Sequence, residues 1–229
     1  MTNFDWGVIW RSLPYLFLDG MRFSLTLTFL AAAGGVVLGT GIALLRLAGG
    51  RVLGAVATGY VNIMRSLPLV LVIFWFYFLV PYIGQWATGA SRPVQVGAFA
   101  SSLLTFTLFE AAYFSEIVRA GIGSIPRGQM SAGLALGLTY RQVMGSVILP
   151  QVFRTMLPVL LTQTIVLFQD TSLVYVLSIT DFMGAASKVA QRDGRLVEMY
   201  VFAAVIYFLV CYLASQSVRR LSGRIAIIR

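Results

Sequence analysis

The sequence predicts an all-helical membrane protein with about five transmembrane helices. Of its 229 residues, 59% are hydrophobic and only 11% are charged, whereas an ordinary soluble domain has roughly 25% charged residues. The mean hydropathy is +0.86, and uncharged apolar segments long enough to cross a bilayer recur along the chain. This composition excludes an ordinary cytosolic enzyme and an intrinsically disordered chain.

Five apolar segments supply the predicted spans, because about 20 apolar residues cross roughly 30 Å of hydrocarbon. The second segment is expected to be helical only to about Val80, and the third continues past two glutamates. In chain order the segments are Phe23–Leu45, Ser66–Ser91, Pro93–Phe109 extended through Glu110 and Glu116, Thr155–Ser178, and Met199–Val218.

The segments outside the spans complete the predicted organisation. Residues 1–21 place aromatic and aliphatic residues at helical spacing, with Trp6 and Trp10 suited to the membrane interface, and predict a short helix on the outer surface. Residues 22–219 form the transmembrane domain, which includes a cytoplasmic loop at 120–154. Residues 220–229 form a short basic cytoplasmic tail.

The distribution of basic residues predicts the orientation of the bundle. Eleven of the 17 basic residues fall on the side that carries the loop 120–154 and the C-terminus, and the other six are nearly balanced by acidic residues. The positive-inside rule therefore places the N-terminus outside and the C-terminus in the cytoplasm. Topology and anionic lipid headgroups account for the net charge of +9, so the charge does not indicate nucleic-acid binding.

Charged residues in or beside the spans are candidates for a transport pathway, because a charge in a bilayer is costly and usually faces a cavity or a partner. They are Arg65, Glu110, Glu116 and Asp170. Glu116 lies three residues before Arg119, which predicts an ion pair on one helical turn. The polar run from Gln169 through Asp170 and Thr171 to Ser172 has two interpretations that the residues leave open, a gate or a structural contact between helices.

Gly35 and Gly39 form a GxxxG step in the first span, which predicts that another helix packs closely there. The chain has no histidine, so a histidine-containing metal site and a Ser-His-Asp triad are excluded. The single cysteine, Cys211, lies in an apolar run and is expected to be a small buried hydrophobe.

The loop 120–154 predicts a helix-turn-helix knob on the cytoplasmic face. A helix of small and apolar residues turns at Gly137, and the hydroxyl of Thr139 can cap a second helix by accepting an orphan backbone N–H. From the residues alone, the knob is equally suited to dock a partner or to pack on the end of its own bundle.

The same loop resembles the EAA motif of ABC importer permeases, which reads Glu-Ala-Ala, three residues, Gly, nine residues, Ile-x-Leu-Pro. Two positions depart from the motif, because a serine replaces the glutamate and a glycine replaces the second alanine. Val147 is a conservative replacement for the isoleucine. The matching positions are Ser131, Ala132, Gly133, Gly137, Val147, Leu149 and Pro150.

Flanking segments resemble the polar amino-acid uptake permeases in particular. The outer loop is most similar to that of glutamate/aspartate permeases, and the resemblance covers nearly the whole chain. The segments are Arg65-Ser-Leu-Pro-Leu, Phe109-Glu-Ala-Ala-Tyr-Phe-Ser-Glu, Phe168-Gln-Asp-Thr-Ser, Asp181-Phe-Met-Gly-Ala-Ala-Ser-Lys and Arg192-Asp-Gly.

The resemblance implies a type I ABC importer permease in a bacterial inner membrane. Its expected partners are a dimer of cytoplasmic ABC ATPases, a second permease subunit, homologous or identical, a periplasmic amino-acid-binding protein and the lipid bilayer, with no nucleic acid. The chain is not expected to be an enzyme or to bind a cofactor, since it lacks the GxxxxGK[ST] phosphate loop. ATP and Mg²⁺ are used by the partner ATPase.

The resemblance also implies roles for individual residues. The ATPase-coupling residues are Ser131, Ala132, Gly133, Gly137, Leu149 and Pro150, and the candidates for the pathway or its gate are Arg65, Glu110, Gln169, Asp170 and Thr171. A secondary carrier or channel without an ATPase is the alternative function, although no inverted repeat supports it. A purely structural subunit is a third possibility.

Overall fold

A computed structural model describes residues 4–225, and helices make up all the regular secondary structure in that range. The last four residues of the predicted basic tail lie outside the described range. The α-helices are α1 (Trp6–Pro14), α2 (Arg22–Ala48), α3 (Gly50–Ser66), α4 (Leu69–Thr88), α5 (Ala98–Gly123), α6 (Arg127–Ala135), α7 (Tyr140–Val143), α8 (Leu149–Asp170), α9 (Phe182–Asp193) and α10 (Leu196–Ile225).

The predicted N-terminal helix exists, but it does not end at residue 21. A π-helical segment, Tyr15–Met21, joins α1 to α2 without a break. Val8 and Ile9 of α1 are buried against a cluster that includes residues of α9 and α10, whereas Trp6 and Trp10 are exposed. The predicted N-terminal helix is therefore present as the first part of a longer helix, with one side buried and the other exposed. Its place at the membrane surface stays a prediction.

Four helical stretches are long and apolar enough to cross a membrane. They are Trp6–Ala48, Leu69–Thr88, Tyr140–Leu177 and Leu196–Ile225. The 26-residue α5 contains the third predicted span and carries two glutamates and an arginine, Glu110, Glu116 and Arg119. The second span does not stop being helical near Val80, because α4 continues to Thr88 through Pro81. An apolar helix tolerates this loss of one backbone donor.

The fourth span is one continuous helix that changes its winding along its length. It begins as α7, passes through a π-helical segment at Met144–Ile148, continues as α8 and ends in a 3₁₀ segment at Thr171–Leu177. Pro158 lies inside α8, midway along these 38 residues. The helix therefore links the predicted helix-turn-helix knob to the polar residues near its other end.

The closest packing in the bundle is between α2 and α5, which run parallel. Phe23 contacts Phe99 where both helices begin, and glycines of α2 lie against α5 farther along. A Cβ built on Gly39 would lie 2.8 Å from the carbonyl oxygen of Ala111 and 2.9 Å from the backbone nitrogen of Ser115. The GxxxG step therefore mediates a helix–helix contact, as the sequence predicted.

The α9 helix packs beside the π-helical segment and α10 at the end of the bundle where α10 begins. The fully buried Asp181 caps α9 by accepting hydrogen bonds from the backbone N–H groups of Met183 and Gly184, both at 2.9 Å. Burial raises the pKa of Asp181 to about 7, although these two donors act in the opposite direction. Ser24 of α2 accepts the N–H of Phe182 and ties α9 to the first span.

We predict that Gly39→Ala destabilises the protein, because the added methyl group meets backbone atoms of α5 that cannot rotate away. Overpacking of this kind costs about 1–3 kcal/mol. The matched control is Gly41→Ala on the same helix, where a Cβ meets no atom within 4 Å. Thermal unfolding of the purified protein in detergent should show a lower midpoint for Gly39→Ala alone. Equal midpoints for the two variants would contradict the tight α2–α5 contact.

Candidate functional site

The knob, residues 127–143, has the helix-turn-helix structure that the sequence predicts. The α6 helix ends before Gly137, whose φ of +81° is a left-handed conformation that favours glycine. Thr139 begins α7 with a reciprocal capping box, in which its hydroxyl accepts the N–H of Gln142 and the Gln142 side chain accepts the N–H of Thr139. These two devices fix the angle between α6 and α7.

The knob has a small core of its own. Val143, Ile148 and Val152 are buried together, and Ile122 at the end of α5 and Ile125 just after it pack against them. Because of these contacts, the knob is attached to both α5 and α8.

Gly133 serves this core instead of facing outward with the other predicted coupling residues. A Cβ at Gly133 would lie 2.6 Å from Cγ2 of Val143, so only glycine lets α6 close onto α7. Gly133 is buried, whereas Ser131, Ala132, Gly137, Leu149 and Pro150 are exposed.

The outer surface of the knob presents large apolar side chains that sequence reasoning missed. Leu136, in the turn, is 82% exposed, and Leu134, Leu138 and Tyr140 are exposed beside it. The sequence signal for this surface was the leucine at every second position from 134 to 138, because the chain turns there and cannot bury all three side chains. We call Leu134, Leu136, Leu138 and Tyr140 the leucine row.

The predicted ion pair of Glu116 with Arg119 is part of a larger cluster. Glu116 also bonds Arg46 of α2, with 2.7 Å between Oε2 and Nη1. Arg65 at the end of α3 lies 4.0 Å from the same oxygen and over the ring of Tyr113, 5.5 Å from its centroid. One carboxylate thus connects α2, α3 and α5. The Arg65 side chain is 43% exposed and remains accessible to an anion.

Glu110 of α5 is fully buried on the side that faces α8 and does not belong to the Glu116 cluster. The side-chain amide of Gln163 donates to its carboxyl group, at 3.1 Å from Oε2 and 3.4 Å from Oε1. Asp170, farther along α8, is close enough to interact with Glu110 electrostatically. Glu110 and Asp170 therefore share a polar region between the two helices.

The other two predicted pathway residues lie apart from each other. Thr171 is buried, and its hydroxyl donates to the carbonyl oxygen of Phe168, so its hydrogen bond stays within its own helix. Gln169 is exposed and borders a cavity of about 340 Å³ between α8 and α10, where Ser172 and Tyr200 also face it. Four of the five predicted residues are thus divided among the Glu116 cluster, the buried Glu110 region and this cavity, and Thr171 belongs to none of the three.

The polar side chains of the bundle are distributed rather than gathered into one site. Among residues 4–225, no group of three or more acidic, cysteine or histidine side chains could hold a metal ion. The chemically distinctive features are a knob with an exposed apolar surface at one end, and carboxylates within the helix bundle. Such features suit a protein that moves and binds.

Comparison with known proteins gives consistent matches along the whole chain. The family model described as the binding-protein-dependent transport system inner membrane component matches residues 35–227. The glutamate/aspartate import permease protein GltK of Escherichia coli O157:H7 is 51% identical over 226 residues, covering 99% of this chain and 100% of GltK. The glutamine transport system permease protein GlnP of Escherichia coli strain K12 is 32% identical with the same coverage.

Solved structures share the fold. The crystal structure of an amino acid ABC transporter with histidines superposes with a TM-score of 0.86 at 30% identity, and the match covers 98% of this chain and 100% of that one. A chain of the MetNI methionine ABC transporter in an inward-facing conformation has a TM-score of 0.72 at 19% identity, covering 94% and 98% of the two chains. The second match shows the fold alone.

We predict that Gln163→Leu destabilises the protein by about 1–3 kcal/mol, because it leaves a buried carboxyl group without its hydrogen-bond donor. The double variant Glu110→Leu/Gln163→Leu should regain most of this loss, since neither polar group then remains. Thermal unfolding in detergent measures both effects. Gln169→Leu, an exposed position on the same helix, is the matched control and should unfold like the wild type. A double variant no more stable than Gln163→Leu would contradict the proposed pairing.

Proposed function

Since this chain belongs to the family of binding-protein-dependent transport system inner membrane components, we propose that it is the permease subunit of an ATP-driven importer of glutamate and aspartate. The choice of glutamate and aspartate as substrates rests on the 51% identity with GltK over 99% of the chain, compared with 32% identity with the glutamine permease GlnP. Permeases of this family are transport subunits and not enzymes, because a separate subunit hydrolyses the ATP.

The knob is the proposed site of coupling to that ATPase. The leucine row offers apolar surface that has no partner within residues 4–225, and a groove on the ATPase would bury it. Ser131, Ala132 and Gly137 border this surface and leave room for a close approach. ATP binding would move the knob, and because the knob is attached to both α5 and α8, it would move these two helices together. The nucleotide supplies the difference in binding energy between the two states.

The polar residues between α5 and α8 form the proposed gate of the substrate pathway. Glu110 and Asp170 would repel an anionic amino acid, so a gating role suits them better than direct binding of the substrate. Arg65 is partly exposed and is the cation available to attract a substrate carboxylate. Alternating access would follow as α5 and α8, joined by the Glu110–Gln163 hydrogen bond, move together relative to the other helices of the bundle.

The complete importer would contain further subunits. We propose a second permease chain, homologous or identical, a cytoplasmic ATPase dimer that binds ATP and Mg²⁺, and a periplasmic binding protein that delivers the amino acid. The location would be the inner membrane of a bacterium, with the knob on the cytoplasmic side, as the positive-inside rule predicts.

Uptake of labelled glutamate tests the substrate. The chain would be expressed with its genomic neighbours in cells that lack their own glutamate importers. We expect ATP-dependent uptake that excess aspartate reduces to background and that excess glutamine or arginine leaves unchanged. Equal competition by glutamine would overturn the choice of substrate while leaving the family intact. Transport that persists without the ATPase would instead favour a secondary carrier.

Co-purification of the ATPase tests the coupling surface. Leu136→Ser removes the most exposed member of the leucine row, and burial of a leucine is worth about 1.5–3 kcal/mol. We therefore expect the ATPase to bind roughly 10- to 100-fold more weakly, with normal amounts of permease in the membrane. Val197→Ser, at a 67% exposed position at the start of α10, is the matched control. Undiminished ATPase binding to Leu136→Ser would exclude the leucine row from the contact.

A further inference from the structure

A second cavity, unrelated to the polar region, opens on the side of the bundle between α2, α8 and α10. It is a groove of about 350 Å³ lined by apolar side chains, among them Phe29 of α2, Phe168 of α8, and Ala214 and Leu221 of α10. We call it the α2–α8–α10 groove. All three helices belong to stretches apolar enough to span a membrane, so a bilayer around the bundle would bring hydrocarbon to the opening of the groove.

The hydroxyl groups that line the groove are already hydrogen-bonded, and its remaining polar side chain is the thiol of Cys211, which is only a weak donor. The three hydroxyl side chains are those of Thr28, Thr164 and Ser217. Each donates to the carbonyl oxygen four residues earlier in its own helix, at 2.7, 2.9 and 2.9 Å. The amino-acid substrate therefore has nothing to bind there, and a hydrocarbon chain fits the lining better.

One end of the groove is basic. The groove face of α10 runs through Ala214, Ser217 and Leu221, and helical spacing continues it to Arg224, three residues after Leu221. Arg220, three residues after Ser217, borders the same end. Both arginines are exposed. Basic residues that flank an apolar groove between membrane helices attract anionic lipid headgroups.

The length of the groove matches one leaflet. From Val210 to Leu221, the last residue of α10 in the lining, the helix rises about 17 Å, and half of the hydrocarbon core of a bilayer is roughly 15 Å thick. A lipid whose phosphate meets Arg220 and Arg224 would thus lay an acyl chain along the whole groove. We propose that the α2–α8–α10 groove binds an anionic phospholipid of the leaflet nearest the C-terminus.

A second copy of the chain is a poorer occupant of this groove. Two copies related by a two-fold axis along the membrane normal place identical residues at the same depth. Their Arg220 and Arg224 side chains would then border one interface whose groove lining has no acidic residue to pair with them. A phosphate headgroup neutralises these side chains instead.

Native mass spectrometry of the assembled transporter tests the proposal. The complex would be equilibrated with an equimolar mixture of phosphatidylglycerol and phosphatidylcholine, and the bound lipid would be counted. We expect one tightly held phosphatidylglycerol for each copy of this chain. Arg220→Gln/Arg224→Gln should weaken its retention about 20- to 30-fold, the product of roughly fivefold for each arginine, whereas Arg51→Gln, an exposed arginine on α3, should not.

A steric variant separates the groove from the basic end. Ala214→Trp fills the groove and should displace the lipid while both arginines remain, and Leu213→Trp, exposed on the same helix outside the groove, should retain it. Equal retention of the two lipids, or retention unchanged in Ala214→Trp, would overturn the proposal. So would separation of the two permease chains in Ala214→Trp with the lipid still bound, because the groove would then be a subunit interface. None of these outcomes depends on the identity of the transported amino acid.

Discussion

The close approach of α2 to α5 is the contact on which the rest of the bundle depends. In a bilayer the lipid tails are as apolar as the side chains, so tight packing must supply the attraction between helices. Gly39 provides it by letting α2 reach the backbone of α5 at Ala111. The same approach brings Arg46 to within 2.7 Å of Glu116, where the arginine is only 9% exposed and would otherwise remain a costly buried charge. With α5 held in this way, Glu110 faces Gln163 of α8.

Much of this architecture could be predicted from local sequence signals. The length of the apolar segments indicated the spans. Gly137 followed by the capping residue Thr139 indicated the turn of the knob, because both residues determine only the backbone conformation of their near neighbours in sequence. The places where one helix continues into the next were harder to predict. Nothing near residue 21 shows that α1 runs into α2, since a π-helical segment has no strong sequence signature. The inward position of Gly133 depends on Val143, which only the folded knob brings beside it.

The candidate site was predicted less completely than the fold. A charged residue in an apolar span is easy to identify, so Glu110 and Asp170 were found, but the sequence does not state which residue faces it. Gln163 escaped notice because a single glutamine in an apolar helix is unremarkable until a carboxyl group lies 3.1 Å away. The leucine row was overlooked for the opposite reason. Leucines are expected in a core, and only the geometry of the turn shows that Leu136 has no core to enter.

The unbroken helix from Tyr140 to Leu177 has a mechanical consequence. Its 38 residues extend for about 57 Å, with the knob at one end, Asp170 and Thr171 near the other, and Pro158 at the midpoint. Proline removes one backbone hydrogen bond, so bending is easiest there. The helix thus has a hinge at its midpoint. A bend of about 10° at Pro158 displaces one end of the helix by roughly 5 Å relative to the other half.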